Sequence, residues 1–153
     1  MSVTLRPVAM DDAELLLAWR NDEATRAASI NQEPVALGDH LAWLGRVLAN
    51  PDRHLYIGEL GDEPIGTVRL DGDGERAEVN ITIAPEARGR GLSKALLRAL
   101  VAQGGRLGFA ALDAVVRHDN AASLALFDRV GFERSKTDEQ LQHFVLPLEP
   151  PTG

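Results

Sequence analysis

The sequence contains no cysteine, which excludes disulfides, thiolate metal sites and covalent catalysis through a thiol. Lysine is nearly absent: Lys94 and Lys136 stand beside fourteen arginines, a bias that reads as genome composition. Positive charge is in short supply overall. Sixteen basic residues face 23 acidic ones, and the net charge of −7 argues against the broad basic surface on which nucleic-acid binding depends. No apolar run approaches the ~20 residues of a membrane span, and Met1-Ser2-Val3-Thr4-Leu5-Arg6-Pro7 lacks the pattern of a signal peptide. The expectation is a soluble, cytoplasmic protein with no nucleic-acid or membrane partner. What is present suffices for a core: 153 residues, 44% of them hydrophobic, fit one domain.

Hydrophobic periods place that domain over residues 1–146, followed by a flexible C-terminal tail, 147–153, with three prolines. Val3 to Val8 alternates as a strand. Asp11 and Glu14 have capping-box spacing and predict a helix with Leu15, Leu16 and Trp19 on its apolar face. A second helix is expected after Gly38, N-capped by Asp39, burying Leu41, Leu44, Val47 and Leu48, and ending at Asn50-Pro51. His54 to Leu60 and Pro64 to Leu70 flank Gly61-Asp62-Glu63 as a hairpin. After a turn at 71–74, Glu75 to Ile83 makes the next strand, with Val79, Ile81 and Ile83 on one face. A helix over 91–103, with Leu92, Ala95, Leu96, Ala99 and Leu100 apolar, is expected to stop at Gly104-Gly105. A strand over Ala110 to Val116, a helix from Asn120 to Val130 ended by Gly131, and closing strands from Phe132 and over Leu141 to Leu146 complete the chain. The order β-α-α-β-β-β-α-β-α-β-β is α+β: a mixed sheet of six to seven strands with about four helices on its faces.

The chemistry concentrates between Ile81 and Lys94, where a strand runs into a loop with Gly89 and Gly91 that opens directly into an amphipathic helix. Helix N-termini expose unpaired N–H groups and the positive end of a dipole, so anions bind there. Glycine lets a phosphate reach the backbone. Residues 88, 90, 94, 98 and 106 are basic and no acidic residue interrupts them, a local reversal of sign in an acidic chain. The Walker pattern is absent, and GxGxxG fails at Lys94.

Arg88-x-x-Gly91-x-Ser93 resembles the Q/R-x-x-G-x-G/A signature of the GNAT acetyltransferase superfamily. Ile83-Ala84-Pro85-Glu86 looks like its lead-in from the fourth strand. Val115 to Ser123, then Phe127 to Gly131-Phe132, are similar to its second signature. The resemblance implies a single GNAT-like domain whose mostly antiparallel sheet splays between strands four and five. It implies acetyl-CoA or another acyl-CoA as donor, and no metal. By the same resemblance, backbone from Arg88 through Gly89, Arg90, Gly91 and Leu92 to Ser93 holds the pyrophosphate. The pantetheine pairs with strand four around Ile81 and Ile83. Asn120 and the following helix, with Phe127, meet the pantetheine and thiol end. Family members are often dimers, so a homodimer is allowed.

Without a thiol, the simplest route is direct attack of an acceptor amine on the thioester in a ternary complex. An alkylamine has a pKa near ~10 and must shed a proton first. Glu78 is the candidate base, directly or through water; the alternative is an exposed carboxylate on a strand face. Many family members protonate the thiolate with a tyrosine, but Phe127 stands there and cannot donate. Ser123, three residues after Asn120 as in the ribosomal-protein alanine acetyltransferases, is the candidate substitute; the alternative is that it only packs in its helix.

The resemblance also implies that residues 18–48 build much of the acceptor wall. Trp19-Arg20-Asn21-Asp22 and His40-Leu41-Ala42-Trp43-Leu44 resemble two branches, the ribosomal-protein N-terminal alanine acetyltransferases and the UDP-4-amino-sugar N-acetyltransferases. That resemblance makes Arg20 and His40 phosphate or sugar contacts and His118 a polar substrate contact. The alternatives are local: Arg20 pairing with Asp22 or Glu23, and His40 covering a helix start. The favoured acceptor is a small-molecule amine, an amino-sugar nucleotide first. A protein N-terminus and a non-catalytic acyl-CoA sensor are the competing readings.

Overall fold

The computed structural model describes residues 2–28, 32–72 and 74–148. Alternation at the start forms strand β1 (Val3–Pro7), followed by a single 3-10 turn and helix α1 (Ala13–Asn21). Helix α2 (Glu23–Ala28) and helix α3 (Leu37–Ala49) come next. Strands β2 (Arg53–Leu60), β3 (Glu63–Asp71) and β4 (Arg76–Ile83) form a meander, and a second 3-10 turn leads to helix α4 (Ser93–Arg106). Strand β5 (Ala111–Arg117), helix α5 (Ala121–Val130) and strands β6 (Glu133–Thr137) and β7 (Leu141–Pro147) complete the chain. The sheet has seven strands in the order β1-β2-β3-β4-β5-β7-β6, antiparallel throughout except for the parallel pair β4–β5.

Several expected boundaries move, each for a local reason. Asp12 stands at the N-cap of the first helix without a side-chain cap bond to it: its carboxylate accepts from the Ala9 N–H at 2.9 Å and from Arg6, so the helix does not start from the expected Asp11–Glu14 box. Helix α3 begins at Leu37, with Ala36 rather than Asp39 at its N-cap, and Leu41 is 39% exposed while His40 is 4% exposed. Its buried stripe is therefore His40, Leu44 and Val47; Leu48 also faces out. Helix α2 escaped the pattern because Glu23–Ala28 has no apolar stripe. Its signal was polar: Asp22 accepts from both the backbone N–H and the hydroxyl of Thr25. Helix α4 runs through Gly104 and Gly105 and gives way to Gly108. Gly104 lies against Leu112, where an added Cβ would sit 3.2 Å from a methyl, so close packing explains it and helix termination does not. On that helix Leu97 is buried and Ala95 exposed. Pro147 belongs to β7, paired with Ala111, and the Leu148 N–H reaches the Ala110 carbonyl, so the start of the expected tail is part of the sheet. Residues 149–153 of that tail lie outside the described residues.

The sheet is covered on both faces, which is why β2 reads as a continuous buried run rather than an alternation. One face packs Val68, Leu70, Val79, Leu112 and Phe144 under α4 and α5. The other packs Leu55, Ile57 and Ile65 under α1 and α3 with Leu16, Trp19, Leu44 and Val47. Gly58 and Gly66 face each other across β2 and β3. An added Cβ at Gly58 would lie 2.2 Å from Leu96, and one at Gly66 would lie 2.4 Å from the Thr82 carbonyl. The two glycines make the hollow that receives Leu96, which seats the start of α4 close to the sheet.

β4 and β5 pair at only three positions, Arg76↔Ala111, Ala77↔Leu112 and Glu78↔Asp113. An Arg76–Asp113 ion pair clamps that end. Beyond it the strands part, although β3 stays with β4 as far as Ile83 and β7 stays with β5 as far as Arg117.

Candidate active site

Where β4 and β5 separate, the sheet opens into a cleft of about 1610 Å³. Val79 to Ile83 and Val115 to Arg117 line it, so it lies in the splay itself. A strand that is paired on one side only leaves N–H and C=O groups on the other side that need partners. In β4 those groups face the cleft.

One end of the cleft is built by backbone. Gly89 and Gly91 have φ of 73° and 72°, a left-handed conformation that side-chain-bearing residues resist, and nothing lies within 4 Å of the space beside either Cα. No side chain caps α4 and no acidic residue stands in its first turn, so its first N–H groups are unused by the helix. Gly89, Gly91, Ser93 and Lys94 line the cleft there.

The arginines of the loop do other work. Arg88 donates to Asp22 and, at 2.7 Å, to the Thr25 hydroxyl, tying the loop to the junction of α1 and α2. That guanidinium, through its hydrogen bond, holds the Asp22 carboxyl below the usual carboxylate range. Arg90 pairs with Glu63 on the β2–β3 hairpin at 2.6 Å. Arg88 and Arg90 thus serve as scaffold, and the run contributes Arg88 and Lys94 to the cleft lining.

Across the cleft, Asn120 caps α5 by accepting the Ser123 N–H at 3.2 Å, which leaves its side-chain NH₂ to donate. Ser123 is half-buried and lines the cleft. Phe127 also reaches the lining, but it is held in the core edge-to-face with Phe132 at 5.0 Å and stacked on Phe144 at 5.5 Å. The chain's single tyrosine, Tyr56, is buried and accepts a hydrogen bond from Gln103, away from the cleft lining.

The other end of the cleft is made of side chains. Trp19, Arg20, His40 and Trp43 come from α1 and α3, and Thr67 and Arg69 from β3. Burial, with Arg26 nearby, pulls the Arg20 guanidinium below its ordinary pKa. The His40 Nε2 lies 3.0 Å from the Ala13 carbonyl, which can only accept, so Nε2 carries the proton. Burial lowers the His40 pKa and keeps the ring neutral at pH 7, stacked 5.6 Å from Trp43. Asn21 grips the Val35 backbone through both amide atoms and so fixes a stretch of this wall before α3.

Of the expected site residues, Arg20, His40, Ile81, Ile83, Arg88, Gly89, Gly91, Ser93, Asn120, Ser123 and Phe127 meet at this cleft. Glu78, Arg90, Leu92 and His118 are not in its lining. Glu78 is on the same face of β4 as the lining residues Asn80 and Thr82 but one pleat lower, opposite Asp113 where the strands are still paired. His118 turns to the β6–β7 turn, with Nε2 2.6 Å from the Asp138 carbonyl. Sequence reasoning missed Thr67, Arg69 and Asn80 and gave the side chains of Thr82 and Lys94 no role of their own. The polar positions 78, 80 and 82, alternating with Val79, Ile81 and Ile83, were the available signal for the two on β4. Among the described residues, no cluster of three or more His, Asp or Glu could hold a metal ion, and no helix is long and apolar enough to cross a membrane.

A splayed β4–β5 pair beside a glycine-led helix start is the geometry of a CoA-dependent acyltransferase. The acetyltransferase (GNAT) domain family matches residues 2–133, and the chain belongs to that family. An L-methionine sulfoximine/L-methionine sulfone acetyltransferase of Pseudomonas aeruginosa is 28% identical over 142 residues, spanning 88% of this chain and 83% of the relative. Among solved structures, the aminoglycoside acetyltransferase AAC(6')-Ib with ribostamycin and coenzyme A superposes with a TM-score of 0.84 at 24% identity, over 96% of this chain and 94% of that one. The spermidine N-acetyltransferase of Vibrio cholerae, with CoA and spermine, superposes with a TM-score of 0.86 at 18% identity, over 95% of each chain. The protein is a GNAT acetyltransferase.

Proposed function

We propose that the chain transfers the acetyl group of acetyl-CoA directly to the primary amine of a small molecule held on the α1–α3 side of the cleft. The unpaired edge of β4 above Glu78, beside the uncapped start of α4, carries this reading. The amides of a pantetheine arm would satisfy the open strand edge, much as an added strand would. The pyrophosphate would lie on backbone N–H groups from Gly89 to Ser93, and the Asn120 amide would donate toward the arm.

The amine lone pair attacks the thioester carbonyl carbon in the ternary complex. A C–N bond forms, the C–S bond breaks, and the electron pair leaves on the CoA sulfur, which then takes a proton. The Asp39 carboxylate and the His40 Nδ1 are the side-chain acceptors in the acceptor half of the lining through which the ammonium proton would pass to water. Glu78, outside the lining, serves only through intervening water. With Tyr56 elsewhere and Phe127 unable to donate, the Ser123 hydroxyl at the start of α5 is the group we assign to protonate the sulfur, in competition with water.

An amino-sugar nucleotide is the first acceptor to assay, because planar guanidiniums such as that of Arg69 in the lining suit a diphosphate. The substrates of the Pseudomonas relative, L-methionine sulfoximine and L-methionine sulfone, come second. The test is acetyl-CoA titration by calorimetry, followed by CoA release with a thiol reagent. A chain without cysteine contributes no thiol of its own to that assay. Turnover with an amine supports the reading; acetyl-CoA binding without turnover of any amine would mark a sensor instead.

A further inference from the structure

The chain carries 23 acidic residues against sixteen basic ones, yet its cleft reverses that balance. In the acceptor half, Arg20, Arg46 and Arg69 line the wall, while Arg117, on β5 and paired with Asp119, lines the splay; Asp39 is the one carboxylate among the described lining residues. Arg69 is positioned by Asp71, whose carboxylate accepts its Nε–H at 2.8 Å, and its guanidinium lies 5.4 Å from the centre of the Trp43 ring. Trp43 and Arg46 also line an adjoining recess of about 310 Å³, completed by Asn50 and Arg53. No acidic residue lines that recess. The cation-rich wall therefore continues from the acceptor half of the cleft past Trp43 to Arg46 and Arg53.

From this arrangement we infer that the acceptor is an amine that also carries an anionic group, a carboxylate or a phosphate, which rests on Arg46 and Arg69 beside Trp43 while the amine reaches the splay. The inference rests on the transferase reading above and names its acceptor class. Planar guanidiniums match carboxylate and phosphate oxygens two at a time, and a wall already held by the protein needs no rearrangement to receive them. The same wall repels a polyamine, because like charges brought into a partly desolvated cleft are mutually unfavourable. Trp43 gives the acceptor's apolar body a flat surface between its two charged ends.

The experiment compares kcat/KM within matched pairs that differ only in the anionic group: L-amino acids with their amides, and 2-aminoethyl phosphate with 2-aminoethanol. Spermidine serves as the polycation. Greater turnover of the charged member in either pair supports the inference, and the pair that shows it separates carboxylate from phosphate. In the exposed variant Arg46→Glu, KM for the anionic acceptor should rise about tenfold or more while KM for acetyl-CoA stays put. Arg46→Lys should recover most of the loss. Equal turnover of charged and uncharged members, preference for spermidine, or an unchanged KM in Arg46→Glu overturns the anion site and leaves the transferase reading standing. Binding of acetyl-CoA with no turnover in any arm overturns the transferase reading and this inference with it.

Discussion

The two ends of the cleft are made differently. The donor end is a contiguous run, Ile81 to Ser93, in which the groups offered are main-chain atoms and the side chains of Arg88 and Arg90 are turned to scaffolding. The acceptor end is assembled from α1, α3 and β3, and what it offers is side chains: guanidiniums, an indole and a neutral imidazole. Backbone recognition needs a conformation, which glycine and helix starts supply at fixed spacing. Side-chain recognition needs a placement, which depends on where two helices land on the sheet. Arg88 joins the two ends, because it leaves the donor loop and ends on Asp22 and Thr25 beside the acceptor wall.

The largest effect is expected where backbone recognition is attacked directly. Gly91→Asp puts a carboxylate against the pyrophosphate site and forces a side chain into a φ of 72°. Acetyl-CoA affinity measured by calorimetry should fall by about 100-fold or more, which is several kcal/mol. Affinity within a few-fold of wild type would remove this loop from the donor site and collapse the contrast between the two ends.

Glycine-to-alanine changes should have opposite signs in the two halves. At Gly66 the new methyl meets the Thr82 carbonyl at 2.4 Å and Leu96 at 2.9 Å, so the donor-side packing must shift. Overpacking of that kind costs about 1–3 kcal/mol. Gly45 lies inside α3 with nothing within 4 Å of its added methyl. Alanine there should stabilise by about 0.5–1 kcal/mol through helix propensity. Urea midpoints read both; a destabilised Gly45→Ala or a neutral Gly66→Ala would contradict the packing described.

The acceptor end should also leave a mark on stability against pH. Burial lowers the His40 pKa from its ordinary 6.5. The unfolded chain therefore takes up this proton at a higher pH than the folded one. The contribution is fully present above about 6.5, the unfolded value, and is lost as pH falls through the lower folded value. His40→Gln, which keeps a donor for the Ala13 carbonyl, should lose less stability than wild type between pH 7.5 and pH 5.5. Parallel losses would place the titration elsewhere.

The smallest effects belong to proton transfer. Ser123→Ala removes one neutral hydrogen bond, worth about 0.5–1.5 kcal/mol, so kcat should drop several-fold without a change in acetyl-CoA affinity. Glu78→Gln should cost less than the ~100-fold at which general-base removal usually begins. A loss of that size or larger would bring Glu78 to the reacting amine in spite of its place below the splay.

The donor end was legible because its determinants are local. A glycine with positive φ, a helix with no acid in its first turn, and Asn120 three residues before Ser123 are relations between near neighbours. Period and punctuation reveal such relations. Helix ends were read less well: glycines at 104 and 105 look like a stop, yet Gly104 serves a contact with Leu112 on another element. The face of α3 was misjudged for the same kind of reason. Leu41 and His40 are adjacent, and only the carbonyl of Ala13, twenty-seven residues earlier, makes the histidine the one to bury.

The sequence by itself determined the class of fold, the order of the strands and the glycine-bearing loop that opens α4, because each depends on residues within a few positions of one another. Tertiary structure alone decided that Glu78 stops one pleat short of the cleft and that His118 turns to the Asp138 carbonyl. It also decided that Arg20, Arg46 and Arg69 share one wall in an acidic chain. The register of β4 against β5 and the seating of α1 and α3 on the sheet are set by packing between distant segments. A guanidinium's address in space is a property of that packing rather than of its neighbours in the chain.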